Sequence, residues 1–398
     1  MINTNAQHLL STLLALLPTA DQQASLKALV SQFLESDGNA RPEHTEVKSA
    51  TSLSRFLNQY QWNTRGLIRE VRSQTLTLLQ RRYRHQRGRR PTLYASIDLT
   101  TLEKTGAFPE LPISMLNGKR GLHLVVLYLT VGEVRIPWAF RVWRGKGAPS
   151  PATLALKLLR TLPAWLNQHF RVRVLTDAGF SSSPFLEGVA ALKLEAVVGM
   201  RHDRKLKDGK QLHDLKRSGQ RVHLEGLGIP LWAARFVLDR VEGGKEVRYV
   251  VATFQASGKT IIRNGKKRFA IEGFFKVAKY VFSLSRFGQR TARGAYRYLV
   301  LSLLAFVLAH WQGLVTGQTV LPEWRELARE VRRVLLPEVV LAELATELDR
   351  LKPYLGAHIL VTVQEVQVLS HPQVTQPFRH SLSLSCGTPV FFNRFTFL

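Results

Sequence analysis

Residues 92–100 read TLYASIDLT. Leu93, Ala95 and Ile97 alternate with Tyr94, Ser96 and Asp98, the period of two expected of a strand, which leaves Asp98 near the strand's end. Working outward, Leu122 to Thr130 reads as a second strand and Val134 to Trp143 as a third, joined through Gly132 in a short turn. Ser150 followed by Pro151 marks a helix start, because a serine oxygen caps free amides and proline at the first helical position loses no bond. That helix is expected to run to about Leu162. Val172, Val174 and Leu175 form a strand that ends at Thr176 and Asp177; Ser183 with Pro184 starts another helix, and Leu194 to Val198 returns as a strand.

Three strands followed by alternating helix and strand resemble a ribonuclease-H-like domain. The resemblance implies that the first and fourth strands lie side by side and parallel, which brings Asp98 and Asp177 to one edge of the sheet. The expected fold class is therefore α/β, a ribonuclease-H-like mixed sheet with a β-rich insertion, flanked by N-terminal and C-terminal helical regions. The expected divisions are a helical DNA-binding region over 1–90, the first part of the core over 91–200, the insertion over 201–262, a core helix and C-terminal helices over 263–355, and a tail over 356–398 with no assigned structure.

The first region has helical apolar spacing in Leu26, Leu29, Val30 and Phe33 and again in Leu53, Phe56, Leu57 and Tyr60. It ends in a basic block, Arg81, Arg82, Arg84, Arg87, Arg89 and Arg90, interleaved with Tyr83 and His85. The insertion opens with Arg201, Arg204, Lys205, Lys207, Lys210, Lys216, Arg217 and Arg221 and turns strand-like through Trp232 to Val237 and Val247 to Phe254. After it, at about 100° per residue, Arg268, Glu272, Lys276 and Lys279 fall within a stripe roughly 80° wide on one helix. Phe274, Val277, Ala278 and Val281 occupy the opposite side, so the charged stripe is expected to face solvent or a ligand. Helices starting at Pro322 and Pro337 follow, and from Ile359 the tail mixes strand-like and polar residues.

Lysine and arginine total 56 against 29 aspartate and glutamate, a net charge of +27 in 398 residues. Such a surplus repels itself unless it normally meets a polyanion, either nucleic acid or an anionic membrane. The apolar run Leu9 to Leu17 has no Lys or Arg before it, unlike a signal peptide. The segment Tyr298 to Leu321 has the length of a membrane span, but its dense apolar part stops at Ala309, before His310, Gln312, Gly313 and Gly317, which favours a buried core helix. DNA is then the expected partner, with no membrane. A single cysteine, Cys386, excludes an intramolecular disulfide and fits a reducing cytosol.

Cutting a phosphodiester needs an activated water and stabilised charge on two in-line oxygens, and a pair of hard divalent cations held by a few carboxylates does both. Asp98, Asp177 and Glu272 are the candidate ligands and catalytic residues, for two Mg2+ ions with Mn2+ as a substitute. The segments SIDLT (96–100), VLTDAGF (174–180) and RFAIEGFFKVAK (268–279) resemble the three catalytic blocks of DDE-type insertion-sequence transposases. The branch it resembles carries a Tyr-x2-Arg-x3-Glu-x6-Lys signature. Arg268, Glu272 and Lys279 match that spacing, whereas Gly265 stands where the tyrosine belongs.

The resemblance implies that Arg268 and Lys279 grip phosphates beside the cut and that Lys276 is either a further DNA contact or a surface residue. Trp232 would stack on a flipped base, the alternative being a core tryptophan. Arg81, Arg82 and Arg84 would meet DNA phosphates, the alternative being a solvated helix end. It further implies double-stranded DNA partners, namely inverted repeats and a target, a homodimer in the DNA complex, and a bacterial, cytoplasmic, nucleoid-associated protein. A metal-dependent nuclease of the same fold and a catalytically inactive transposase-derived DNA-binding protein stay open as alternatives.

Overall fold

The computed structural model describes residues 4–35, 37–45, 47–239, 244–315 and 323–355, together with three backbone strands of the tail. In chain order the elements are helices α1 (Thr4–Ala15), α2 (Ala20–Glu35), α3 (Ala50–Asn58) and α4 (Thr64–Tyr83), then strands β1 (Thr92–Glu103), β2 (Ser114–Leu116), β3 (Lys119–Val131) and β4 (Val134–Trp143). Helices α5 (Pro151–Leu159) and α6 (Ala164–His169), strand β5 (Arg171–Thr176), helix α7 (Ser183–Ala191) and strand β6 (Glu195–Met200) follow. Strands β7 (Gln220–Val222), β8 (Leu231–Asp239) and β9 (Lys245–Ala252) lead to helices α8 (Gly258–Lys267), α9 (Phe269–Tyr280), α10 (Ala292–Gly313), α11 (Trp324–Leu335) and α12 (Pro337–Leu355). The tail strands are β10 (Leu360–Gln364), β11 (Ser381–Cys386) and β12 (Thr388–Phe391), paired antiparallel. Pro322 and the remainder of the tail lie outside the described residues.

Nine strands share the main sheet. β4, β3, β1, β5 and β6 are neighbours in that order, antiparallel from β4 to β1 and parallel from β1 through β5 to β6, as the ribonuclease-H-like expectation requires. Ser150 caps α5 as read, its side chain accepting the Thr153 N–H, but α5 ends at Leu159 and a separate short helix, α6, fills the connection to β5. The insertion is β-rich as expected. It is not a module apart, however, because β9 pairs antiparallel with β6 and carries β8 and β7, so the inserted strands extend the main sheet. Helix α8 begins at Gly258, inside the stretch assigned to the insertion.

Alternation along β1 sends Leu93, Ala95 and Ile97 into one core layer with α5 and α7, and Leu102 into the other, where α9 and α10 pack. Asp98 belongs to the second face. That layer also holds Leu26, Leu29, Val30 and Phe33 of α2 and Leu53, Phe56 and Leu57 of α3, so the N-terminal helices share one core with α9–α12. Helix α10 is long and apolar enough to span a membrane, yet its most apolar window is 78% buried inside the fold. It is the core helix read from its composition.

Candidate active site

Strands β1 and β5 run parallel, with Ser96 opposite Leu175. Two residues further along each chain stand Asp98, still in β1, and Asp177, in extended backbone just past the end of β5, so that both lie beyond the same end of the paired stretch. β5 ends at Thr176, and Asp177 caps the following turn, one carboxylate oxygen accepting the Gly179 N–H at 3.0 Å. The adjacent strand passes this turn at close range through a glycine. A Cβ on Gly199 of β6 would lie 3.0 Å from the Ala178 amide nitrogen and 3.2 Å from the Asp177 carbonyl carbon.

Glu272 arrives from above the sheet on α9, which Ile271, Phe274, Phe275 and Ala278 seat on the core. The Phe274 ring stacks on Tyr128 of β3 at 4.5 Å and meets Phe306 of α10 edge-on. Glu272 stands in the first turn of α9, where the exposed amides of a helix start favour a negative charge. Sequence periodicity suggested one continuous helix here. The structure instead divides it into α8 and α9 at Arg268, whose backbone stays helical (φ −55°, ψ −35°) while its N–H bonds tightly to the Gly265 and Lys266 carbonyls. Because the dihedrals remain helical, Arg268 and Glu272 still share a face.

Arg268 ties the site together. One terminal nitrogen donates to Asp98 Oδ2 at 2.9 Å and the other to Glu272 Oε1 at 2.5 Å, with the arginine side chain 12% and the Asp98 side chain 15% exposed. Asp98 Oδ1 accepts the Leu99 N–H at 2.8 Å. Burial, reinforced by the negative charge of Asp177 and to a lesser degree Glu272, pushes the Asp98 carboxyl up to about 6 despite the opposing pull of Arg268 and the Leu99 amide. The three carboxylates thus occupy one electrostatic neighbourhood. Among the described residues, no three His, Cys, Asp or Glu side chains stand close enough to hold a metal as they are placed. What fits a hard divalent cation is the donor chemistry: carboxylate oxygens crowded until a guanidinium is needed to compensate them.

The raised pKa of Asp98 makes the stability of the metal-free protein depend on pH. In chelator-treated protein the folded state holds the Asp98 proton more tightly than the unfolded chain, so stability falls as pH rises between about 4 and about 6 and is level above. Asp98→Asn is expected to remove this dependence and, above about pH 6, to exceed the parent by about 1–3 kcal/mol in urea unfolding. A variant less stable than the parent at neutral pH would contradict it.

The charged stripe is not uniformly open. Lys276 is exposed, but Lys279 is half-buried, and its Nζ donates to the Thr101 carbonyl of β1 at 2.9 Å, fastening α9 to the strand that carries Asp98. Burial lowers its pKa below the usual lysine value. Arg81 and Arg84 are exposed at the end of α4, while Arg82 pairs with Glu133 at 2.6 Å in the β3–β4 turn. This basic block adjoins the start of β1, about 20 Å along the strand from Asp98 at the usual rise. Trp232 is half-buried on β8, packed with Phe236 and Phe254 against Val197, Ala252 and Ile261, its ring 6.0 Å from the Arg221 guanidinium. Asp98, Glu272 and Arg268 are therefore gathered at one place, Lys279 lies further along α9 at Thr101, and the α4 arginines lie apart.

A supporting network escaped the sequence reading. Arg173 of β5, itself buried, donates to Glu195 of β6 at 2.5 Å and to Asn264 Oδ1 of α8 at 3.0 Å; Tyr94 of β1 donates to the same Asn264 oxygen at 3.2 Å. These bonds hold α8, and hence Arg268 at its end, against three strands. The available signal was an arginine inside the apolar strand VRVL and an asparagine within a helix. Gly265, at the signature tyrosine position, faces β9: a Cβ there would approach Val250 to 3.2 Å, so close helix-to-strand packing occupies the space.

The β4-β3-β1-β5-β6 order, antiparallel and then parallel, is that of a ribonuclease-H-like core. The chain belongs to the transposase DDE domain family, which matches residues 95–308, more than half of its length. It is similar to the probable transposase for insertion sequence element IS5377 of Geobacillus stearothermophilus, at 26% identity over 208 residues; the match spans 46% of this chain and 54%, about half, of that relative. Among solved structures it is similar to the piggyBac transposase in a synaptic complex with hairpin DNA, at 12% identity and a TM-score of 0.49 over 89% of this chain and 81% of the other.

Proposed function

We propose that this protein is a DNA transposase that cleaves the ends of an insertion sequence and joins them to target DNA by two-metal-ion phosphoryl transfer, and that it belongs to the branch with the Tyr-Arg-Glu-Lys signature. The observation that carries this reading is Arg268 bonded to both Asp98 and Glu272, with Asp177 at the end of the strand parallel to that of Asp98, within a family-matched core. Asp98, Asp177 and Glu272 would hold two Mg2+ ions, or Mn2+. Those ions, when bound, would activate the attacking oxygen and neutralise charge on the in-line oxygens.

The chain's own groups do the rest. Asp98 and Asp177, carried on rigid neighbouring strands, present oxygens at a fixed spacing, and Glu272 closes the set from α9. Arg268 offers a forked donor to a phosphate beside the cut. Lys279, bonded to Thr101, holds α9 at its height above β1, so its proposed phosphate contact is combined with a positioning role. In the first step water displaces the 3′ oxygen from a phosphorus at the element's end, leaving a 3′ hydroxyl and a 5′ phosphate. That hydroxyl then attacks a target phosphodiester, forming one P–O bond as another breaks. Arg81, Arg82 and Arg84 would meet backbone phosphates away from the cut, Lys276, one turn beyond Glu272 on α9, would be a further phosphate contact, and Trp232 would stack on a flipped base. The DNA-bound form is proposed to be a homodimer engaging both inverted repeats, in the bacterial cytoplasm at the nucleoid.

The deciding experiment supplies purified protein with Mg2+ or Mn2+, a labelled duplex carrying the element's end with flanking DNA, and a supercoiled target plasmid. Released 3′ ends together with covalent joints to the plasmid are expected. Cuts without joints would replace this reading with a nuclease, and DNA binding with neither product would replace it with a non-catalytic DNA-binding protein.

A further inference from the structure

We propose that Arg268 is the resident counter-cation of the carboxylate site and has to leave it before divalent cations enter, so that metal loading and DNA-phosphate binding are coupled through one side chain. The inference rests on the metal-site reading above and adds an order of events to it. Arg268 reaches Asp98 Oδ2 with one terminal nitrogen and Glu272 Oε1 with the other, and with 12% of its side chain exposed it fills the space between strand β1 and helix α9. A magnesium ion needs carboxylate oxygens at about 2.0–2.1 Å in near-octahedral geometry, and a guanidinium bonded to Asp98 Oδ2 and Glu272 Oε1 competes for those oxygens by its charge and by the space it takes beside them. Nor can the guanidinium give up its charge, since arginine stays protonated in proteins. Cations that take both of these oxygens therefore displace it.

Once displaced, Arg268 is a cation at the rim of the site with no carboxylate partner, and a DNA phosphate accepts both prongs of its fork. Metal and DNA then favour the same outward arrangement of Arg268. Each raises the affinity of the protein for the other by the same factor, because coupling between two binding equilibria is reciprocal. Lys279 stands outside this exchange, because its Nζ bonds to the Thr101 carbonyl further along β1 and not to Asp98 or Glu272. Lys276, exposed on α9, pairs with neither Asp98 nor Glu272.

The test is a Mn2+ titration of the DNA-free, full-length protein, read from the electron paramagnetic resonance signal of unbound Mn2+, with no turnover involved. Arg268→Gln is expected to bind Mn2+ about ten-fold tighter than the parent, or more. Arg268→Lys keeps the charge but cannot span both carboxylates at once; it is expected to fall between the two and serves if the glutamine variant does not fold. Asp98→Asn should remove the binding in either background. Equal or weaker Mn2+ binding by the Arg268 variants, with loss on Asp98→Asn, would overturn the exchange while leaving the metal site standing. Binding that is indifferent to Asp98→Asn would overturn both.

Discussion

Asp98→Asn, Asp177→Asn and Glu272→Gln are each expected to lower cleavage of an element-end duplex on the order of 10³-fold or more, about 4 kcal/mol of barrier, while DNA affinity changes within a few fold. The expectation follows from what each replacement keeps. An amide at 177 retains an oxygen for the Gly179 N–H, and one at 98 retains an acceptor for the Leu99 N–H, so the local turns survive. What disappears is the negative charge that would hold the cations, and hard cations bind amide oxygens far less well than carboxylates. Paired measurements of DNA affinity, thermal midpoint and cleavage separate the two effects. A single variant that cuts at near the parent rate would remove its residue from the proposed ligand set.

The largest effect on stability is expected from Arg297→Met. Arg297, on α10, is 3% exposed and donates to the Phe56, Leu57 and Tyr60 carbonyls and to that of Trp62, with a further bond to Thr64 Oγ1, while its guanidinium lies 4.3 Å from the Trp62 ring centroid. These carbonyls end α3 and form the link to α4, and methionine can fill the volume but donates to none of them. A loss of about 3–5 kcal/mol is expected, read by urea or thermal unfolding, because the Leu57 and Tyr60 carbonyls lose this donor, those of Phe56 and Trp62 keep only their bonds from Trp62 Nε1 and the Thr64 N–H, and the cation–ring contact is lost as well. A change below about 1 kcal/mol would mean that the α3–α4 link is satisfied without Arg297. The substitution also asks whether the N-terminal helices unfold with the catalytic core, as their common packing with α10 requires.

Much of this architecture was legible in local patterns. Alternation in 92–100 located β1 and the position of Asp98 on it; Ser150 with Pro151 located the start of α5; the apolar density of Tyr298 to Ala309 marked a core helix, and the spacing of Arg268, Glu272 and Lys279 placed three charges on one face. Each of these signals is short-ranged, set by a side-chain period or a cap that acts within a turn or a strand. The surplus of 27 positive charges needs no structure at all to point towards a polyanion.

Tertiary structure alone decided how those parts meet. The parallel register of β1 with β5 brings Asp98 and Asp177 to the same end of the paired stretch across 79 residues of chain, and strand pairing of that range leaves no mark in either segment. Only the pairing of β9 with β6 turns the insertion into a continuation of the sheet, and only three-dimensional packing sends Lys279 inward to Thr101, buries Arg297 against four carbonyls and leaves Arg81 and Arg84 at the far end of β1. The physical reason is common to all of them. A sequence specifies which side chains are apolar, charged or able to cap, whereas burial of a cation and its choice of partner depend on which distant backbone groups the fold brings within hydrogen-bond reach.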